Sequence, residues 1–274
     1  MERQSPFLGI YLNSSETKFF VSLYEITSPM NVRIHTTALT LFFLLAGKIL
    51  HAQELPQFYP SSETAPDLGP EAEARFKRTQ QLIDKTTELS ASEKAELDSL
   101  IEIDPTKEDQ WDIIGGGCSW YCGGGNYAVK GSSYLKAQGN NVYTAESAND
   151  LSYQTAWVEG KKDAGIGESI TYSFKNDSPR ITAIIVANGY MKTAEAWTNN
   201  NRVKALKLYL NGEPYGILNL SDTRTDQVFE IGTFGRRQDG KDLVLTIEIL
   251  NVYKGAKYND TAITEIYFDG IDVH

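Results

Sequence analysis

Beyond Asn126 the chain alternates apolar and polar residues with the period of strands. Residues 168–174 set Ile170, Tyr172 and Phe174 on one face, and residues 203–210 do the same with Leu206, Leu208 and Leu210. Residues 180–187 form a β-branched run, and 215–220, 227–231, 243–250 and 261–268 complete the set. Between two of these runs Asn211-Gly212 predicts a two-residue hairpin turn, because both residues tolerate positive φ. Strands that succeed one another without intervening helices predict an antiparallel sandwich or jelly roll. That succession also sorts the connections. Asn211-Gly212 and 232–240 fall at one end, and 188–201, 221–225 and 251–260 at the other.

Earlier in the chain the period changes. Phe76, Leu82, Ile83 and Leu89 lie near helical spacing in residues 70–89, and Ser90 with Glu93 forms a capping box for a second helix reaching about Ile103. Leu97, Leu100 and Ile101 make its apolar stripe, and Pro105 ends it. A helical pair packed beside the sandwich is expected. Residues 53–69, rich in Pro, Ser, Thr and acid, read as a linker. The apolar run 38–46, preceded by Arg33 and His35, is well short of the ~18 residues that span a bilayer. It reads as a secretory signal cleaved after Ala52, so the product is secreted or periplasmic with no stable membrane insertion. Residues 1–29 show no periodicity and precede Met30, which fits a start-site extension with translation beginning at Met30. The expected division is 1–29 extension, 30–52 signal, 53–69 linker, 70–105 helices and 106–274 sandwich.

With 41% hydrophobic residues in 274 the chain can bury a substantial core. A net charge of −10 argues against nucleic acid, whose phosphates need a basic face. The histidines are His35, His51 and His274, so after signal removal only the last residue is a histidine. Histidine-dependent triads and histidine-ligated zinc are thereby excluded. Cys118 and Cys122 stand between glycine triplets, and in an exported protein they are expected to form a disulfide pinning Trp120 and Tyr121 on a small loop. Their C-x3-C spacing is not the redox C-x-x-C. Those two rings either face a ligand or plug the base of the domain.

The second loop end holds the candidate chemistry: Tyr190, Trp197, Tyr253 and Tyr258 with Asn188, Asn201, Arg202 and Asp260, accompanied by Asn199 and Asn200. Rings stack on the C–H faces of a sugar, and amides, a guanidinium and a carboxylate meet its hydroxyls. Period two in residues 261–268 sets Glu265 on a face with Ile263 and Tyr267, and Ala262, Thr264, Ile266 and Phe268 on the other. A carboxylate there must be rim-exposed, paired or metal-bound. The candidate functions are a glycan or cell-surface binding module without catalysis, a protein-interaction domain, or a hydrolase acting on glycosides or NAD through carboxylates such as Glu159, Glu168, Glu195 and Asp260.

Thr155-Ala-Trp-Val-Glu-Gly160, Gly165-Ile-Gly-Glu168, Asn188-Gly-Tyr190, Asn200-Asn-Arg-Val203 and Tyr258-Asn-Asp-Thr-Ala-Ile-Thr-Glu265 together resemble the discoidin-like (coagulation factor V/VIII type C) domain of the NAD glycohydrolase translocation type, also called NADase-type glycan-binding. The resemblance runs from about Trp111 to the C-terminus. It implies a galactose-binding-like β-sandwich in an all-β domain and a non-catalytic glycan or cell-surface binding role. Related carbohydrate-binding sandwiches hold a structural calcium, and Asp150, Ser152, Thr155 and Glu265 match the spacing of its ligands, with carbonyls of Ser147 and Thr264 as additions. Ser152 stands where those relatives have Asp, which leaves two carboxylates for an ion that takes six or more oxygens.

Overall fold

A computed structural model of the protein describes residues 54–103, 107–115, 119–124 and 127–273. The expected start-site extension, signal and cleavage point lie outside them, as do Pro105 and Cys118. The core is a sandwich of two sheets, with two helices toward the N-terminus.

In chain order the strands are β1 (Gln57–Phe58), β2 (Ser62–Thr64), β3 (Tyr127–Gly131), β4 (Trp157–Val158), β5 (Ser169–Phe174), β6 (Arg180–Asn188), β7 (Arg202–Leu210), β8 (Glu213–Asn219), β9 (Asp226–Phe234), β10 (Leu243–Tyr253) and β11 (Ala262–Ile271). One sheet runs β1-β8-β7-β10-β5-β3 and the other β2-β9-β6-β11-β4. All pairings are antiparallel except that of β1 with β8. The expected alternation closes the core. Ile170, Tyr172 and Phe174 of β5 and Leu206 and Leu208 of β7 meet Ile184 and Val186 of β6, Phe229 of β9 and Ile266 and Phe268 of β11 between the sheets. Asn211 and Gly212 take φ of 51° and 86°, and Leu210 pairs with Glu213 across them.

Two features depart from the sequence pattern, and a third settles an alternative it left open. The stretch read as a linker contains β1 and β2, which add one strand to the edge of each sheet. In β11 Ile263 and Ile266 both join the main core, although strict alternation puts them on opposite faces. The strand pairs with β4 at Ala262 and Ile263 and with β6 from Glu265 onward, and the phase shifts at that change of partner. Trp120 and Tyr121 plug the base of the sandwich. Trp120 packs on Phe174 and Phe268 and donates from Nε1 to the Arg180 carbonyl at 3.2 Å, while the Tyr121 hydroxyl accepts from the Phe268 N–H at 3.1 Å.

The helices are α1 (Pro70–Ile83) and α2 (Ala91–Ile103). The capping box forms as expected: the Ser90 N–H donates to Glu93 Oε2 at 2.9 Å, and the Glu93 N–H donates to Ser90 Oγ at 3.3 Å. The first helix is shorter than its apolar spacing suggests and buries Ala72, Thr79 and Leu82. Two further short helices are α3 (Tyr121–Gly124) and α4 (Ala194–Asn199), and a 3-10 turn spans Ala145–Ala148.

Candidate functional site

The loops 189–201, 220–225 and 254–261 gather at one end, where the alternation of connections places them. Arg202, at the start of β7, does much of this. Its guanidinium grips Asp222 with bonds of 3.0 and 2.9 Å and donates to the carbonyls of Asn200 at 3.1 Å and Lys254 at 3.3 Å, so one buried cation ties three loops. Asn201 is equally committed. Its Nδ2 donates to the Asn259 carbonyl at 2.6 Å and its Oδ1 accepts from the Gly255 N–H at 2.7 Å. The close seating requires Gly255, because a Cβ there would lie 2.5 Å from the Asn199 carbonyl oxygen.

Asn188 is fully buried and bonds both ways to the Val203 backbone, at 2.8 and 2.9 Å. Trp197 donates from Nε1 to the Asn188 carbonyl at 2.9 Å, and the Arg202 guanidinium lies 4.6 Å from its ring centroid. The Tyr253 hydroxyl donates to the Leu220 carbonyl at 2.9 Å. These five side chains are therefore engaged inside the loop cluster, holding its shape. Their polar groups are needed there because buried main-chain groups must find partners.

The other three expected residues, Tyr190, Tyr258 and Asp260, line an open cleft of about 370 Å³ on the outer side of the same loops. Tyr143 and Gln138 join them from the segment after β3, with Glu195, Asn199 and Asn200 from around α4. Tyr143 meets Tyr190 edge-on, with ring centroids 6.4 Å apart, and Tyr258 is 44% exposed. The cleft is thus lined by Tyr190 and Tyr258 over a buried Tyr143, with three amides, of which Asn200 gives its Nδ2 to the Ala196 carbonyl at 2.9 Å, and two carboxylates. Tyr143 and Gln138 were not foreseen, since residues 132–144 have no periodicity. The available signal was an aromatic in a stretch punctuated by Gly139, Asn140 and Asn141, as Tyr253 and Tyr258 stand among Gly255, Asn259 and Asp260. Of the other acids considered, Glu159 accepts from the N–H groups of Lys161 and Thr261, and Glu168 accepts from Ser132 and Ser133 and pairs with Lys161. Both are buried, and neither lines the cleft.

Glu265 is fully buried, which removes the rim-exposed placement. Its Oε2 accepts from the N–H groups of Asp150 at 3.2 Å and Leu151 at 3.0 Å, and Leu151 takes a left-handed φ of 58° in the turn that supplies them. Its Oε1 has no hydrogen-bond partner among the described residues. Asp150 Oδ2 accepts from the Thr155 hydroxyl at 2.6 Å and Oδ1 from the Ser152 N–H at 3.2 Å. Burial, and then the neighbouring charge of Asp150, push the Glu265 carboxyl well above the usual range. Among the described residues no group of three or more His, Cys, Asp or Glu is placed to hold a metal. A cation here would rely on Glu265 Oε1, Asp150, the Thr155 hydroxyl and main-chain oxygens. That all-oxygen set fits a hard ion such as calcium, and the orphaned Oε1 is the atom that calls for one. For the expected disulfide, the structure describes Cys122, whose Sγ accepts from the Ser119 N–H at 3.4 Å.

The structure is thus a two-sheet sandwich with an open cleft on the loops of one end. The chain belongs to the NAD glycohydrolase translocation F5/8 type C domain family, whose sequence profile matches residues 120–269, more than half its length. No curated protein matches it. Among solved structures, the Streptococcus pyogenes NAD+-glycohydrolase translocation domain is 26% identical, with 42% of this chain and 98% of that one covered and a TM-score of 0.28. CpGH89CBM32-5 from Clostridium perfringens, in complex with GalNAc-β-1,3-galactose, is 14% identical, with coverage of 56% and 100% and a TM-score of 0.37. The CBM32-1 and CBM32-2 domains of Clostridium perfringens ZmpB are 11% identical, with coverage of 74% and 58% and a TM-score of 0.39. These likenesses are distant. Among the described residues no helix is long and apolar enough to cross a membrane.

Proposed function

We propose that the chain is an exported, non-catalytic module with a galactose-binding-like jelly-roll sandwich that binds a glycan or other cell-surface carbohydrate in the tyrosine-rimmed cleft. The observation that carries this reading is the composition of the cleft. Tyr190 and Tyr258 offer ring surface over the buried Tyr143, while Gln138, Asn199, Glu195 and Asp260 offer directional donors and acceptors around one open depression. Screening the full chain on a glycan array, beside Tyr258→Ala, tests it. Saturable binding to a defined sugar that Tyr258→Ala abolishes supports the module. A folded chain that binds no sugar sinks it and favours a protein partner for the same exposed rings.

The same reading includes a structural calcium held by Glu265, Asp150 and Thr155, with Ser152 and the Ser147 and Thr264 carbonyls as additional ligands, and a Cys118–Cys122 disulfide. The calcium supplies positive charge to a carboxylate oxygen that otherwise lacks a partner. Millimolar calcium is expected to raise the melting temperature of chelator-treated protein by several degrees, and Glu265→Gln to lose that response. An equal response in the variant would place the ion elsewhere.

A further inference from the structure

A second depression, of about 350 Å³, lies across α4 from the cleft. Thr193, which caps α4 by accepting from the Ala196 N–H at 3.0 Å, lines both. Glu195 and Ala196 face the cleft and Ala194 faces the groove, so one turn of helix is the ridge between them. The far wall comes from outside the family match: Leu68, Pro70 and Trp111 supply apolar surface, with Asp67 and Glu73 beside them.

The charges of this groove are unequal. Asp67 is paired with Arg75, and Glu73 with Lys77 at 2.6 Å, so both acids are neutralised within their own segment. Opposite them, Lys192 and Arg224 have no carboxylate partner among the described residues. Arg224 donates from Nη2 to the Met191 carbonyl, and its Nε is buried with no partner among the described residues. In a protein of net charge −10, Lys192 and Arg224 thus line a groove together with Trp111, next to the cleft, with no carboxylate partner among the described residues. Such cations favour an anion, and a guanidinium suits the planar or tetrahedral oxygens of a carboxylate or sulfate.

We propose that this groove is a second sugar subsite, continuous with the cleft over α4, which takes a carboxylate- or sulfate-bearing unit of the same glycan chain. The inference rests on the cleft being a glycan site. Trp111 stacks the ring of that unit, and Arg224 and Lys192 hold its acidic group. The segment preceding the family domain thus sets specificity.

The test uses the full chain on an array of paired glycans: neutral cores, and the same cores ending in sialic acid, glucuronic acid or a sulfated sugar. The acidic member of a pair should bind about tenfold tighter, the scale of one charge-assisted contact. The double variant Lys192→Gln with Arg224→Gln should bind both members at the neutral level, and Tyr258→Ala should bind neither. Because Arg224 also holds the Met191 carbonyl, Lys192→Gln is measured alone as well: a reduced preference supports the subsite and an unchanged one overturns it. Equal binding of neutral and acidic members by the unaltered chain overturns the subsite and leaves the cleft standing. Binding to no member overturns both.

Discussion

A buried asparagine that closes a loop and an exposed one that meets a ligand are the same letter in a sequence. Asn188, Asn201 and Arg202 have their side-chain groups satisfied by backbone or by Asp222, and Asn200 gives its amide to the Ala196 carbonyl, whereas Asn199 lines the cleft. Mutation separates the two kinds. Trp197 is half-buried under Arg202, so Trp197→Ala should cost about 2–3 kcal/mol of stability along with binding. Tyr258→Ala should leave the unfolding free energy within about 0.5 kcal/mol of the parent, with little change in denaturant midpoint, while binding is lost. Equal midpoints for the two variants would contradict the division. Asp226 offers a pH test of the interior. Its Oδ2 accepts from the Tyr153 and Tyr267 hydroxyls, its Oδ1 has no partner among the described residues, and burial raises its carboxyl above the usual range. A raised folded value means that its contribution is fully present below the unfolded value, about 3.9, and is lost as pH rises through the folded one. Asp226→Asn removes that titration, so its stability relative to the parent should improve from pH 4 to pH 8. Urea midpoints at the two pH values read the difference, and a constant gap would refute the assignment.

Among the elements, those with long periodic runs were legible and those whose pairing is decided elsewhere were not. The phase of β5 and β7, the Asn211-Gly212 turn and the Ser90/Glu93 cap all follow from local rules that the fold leaves intact. The two- and three-residue strands β1 and β2 carry no period, and only their partners β8 and β9 make them strands. The phase shift in β11 likewise arises from its change of neighbour. In the site, local composition marked Tyr190, Tyr258 and Asp260, but nothing local says that residues 138 and 143 arrive beside them. The packing of β1 can be measured. Phe58 stacks on Tyr215 with ring centroids 5.8 Å apart and covers Gly216, where a Cβ would come within 2.4 Å of its ring. Phe58→Ala should therefore cost about 1–2 kcal/mol, less than full burial would give because the ring is only partly covered. Unchanged stability would mean that β1 is not seated on β8.

At the scale of the molecule, the segment ahead of the family domain completes the sandwich. It places β1 on the outer edge of β8 and β2 on that of β9, and Glu63 of β2 accepts hydroxyl bonds from Ser221, Thr223 and Thr225, bracing one of the loops of the cleft end. Without it each sheet would end in a long strand with a row of unpaired N–H and C=O groups, the arrangement that recruits other chains. A protein trimmed to residues 120–274 keeps the whole family match and loses both cover strands. It should self-associate at concentrations where the untrimmed chain does not, visible as a concentration-dependent sedimentation coefficient, and its loop 220–225 should exchange amide protons faster. Restoring residues 54–119 should reverse both effects. If the trimmed protein sediments and exchanges like the untrimmed chain, the preceding segment is an appendage and the edges of the sandwich are protected by β8 and β9 themselves.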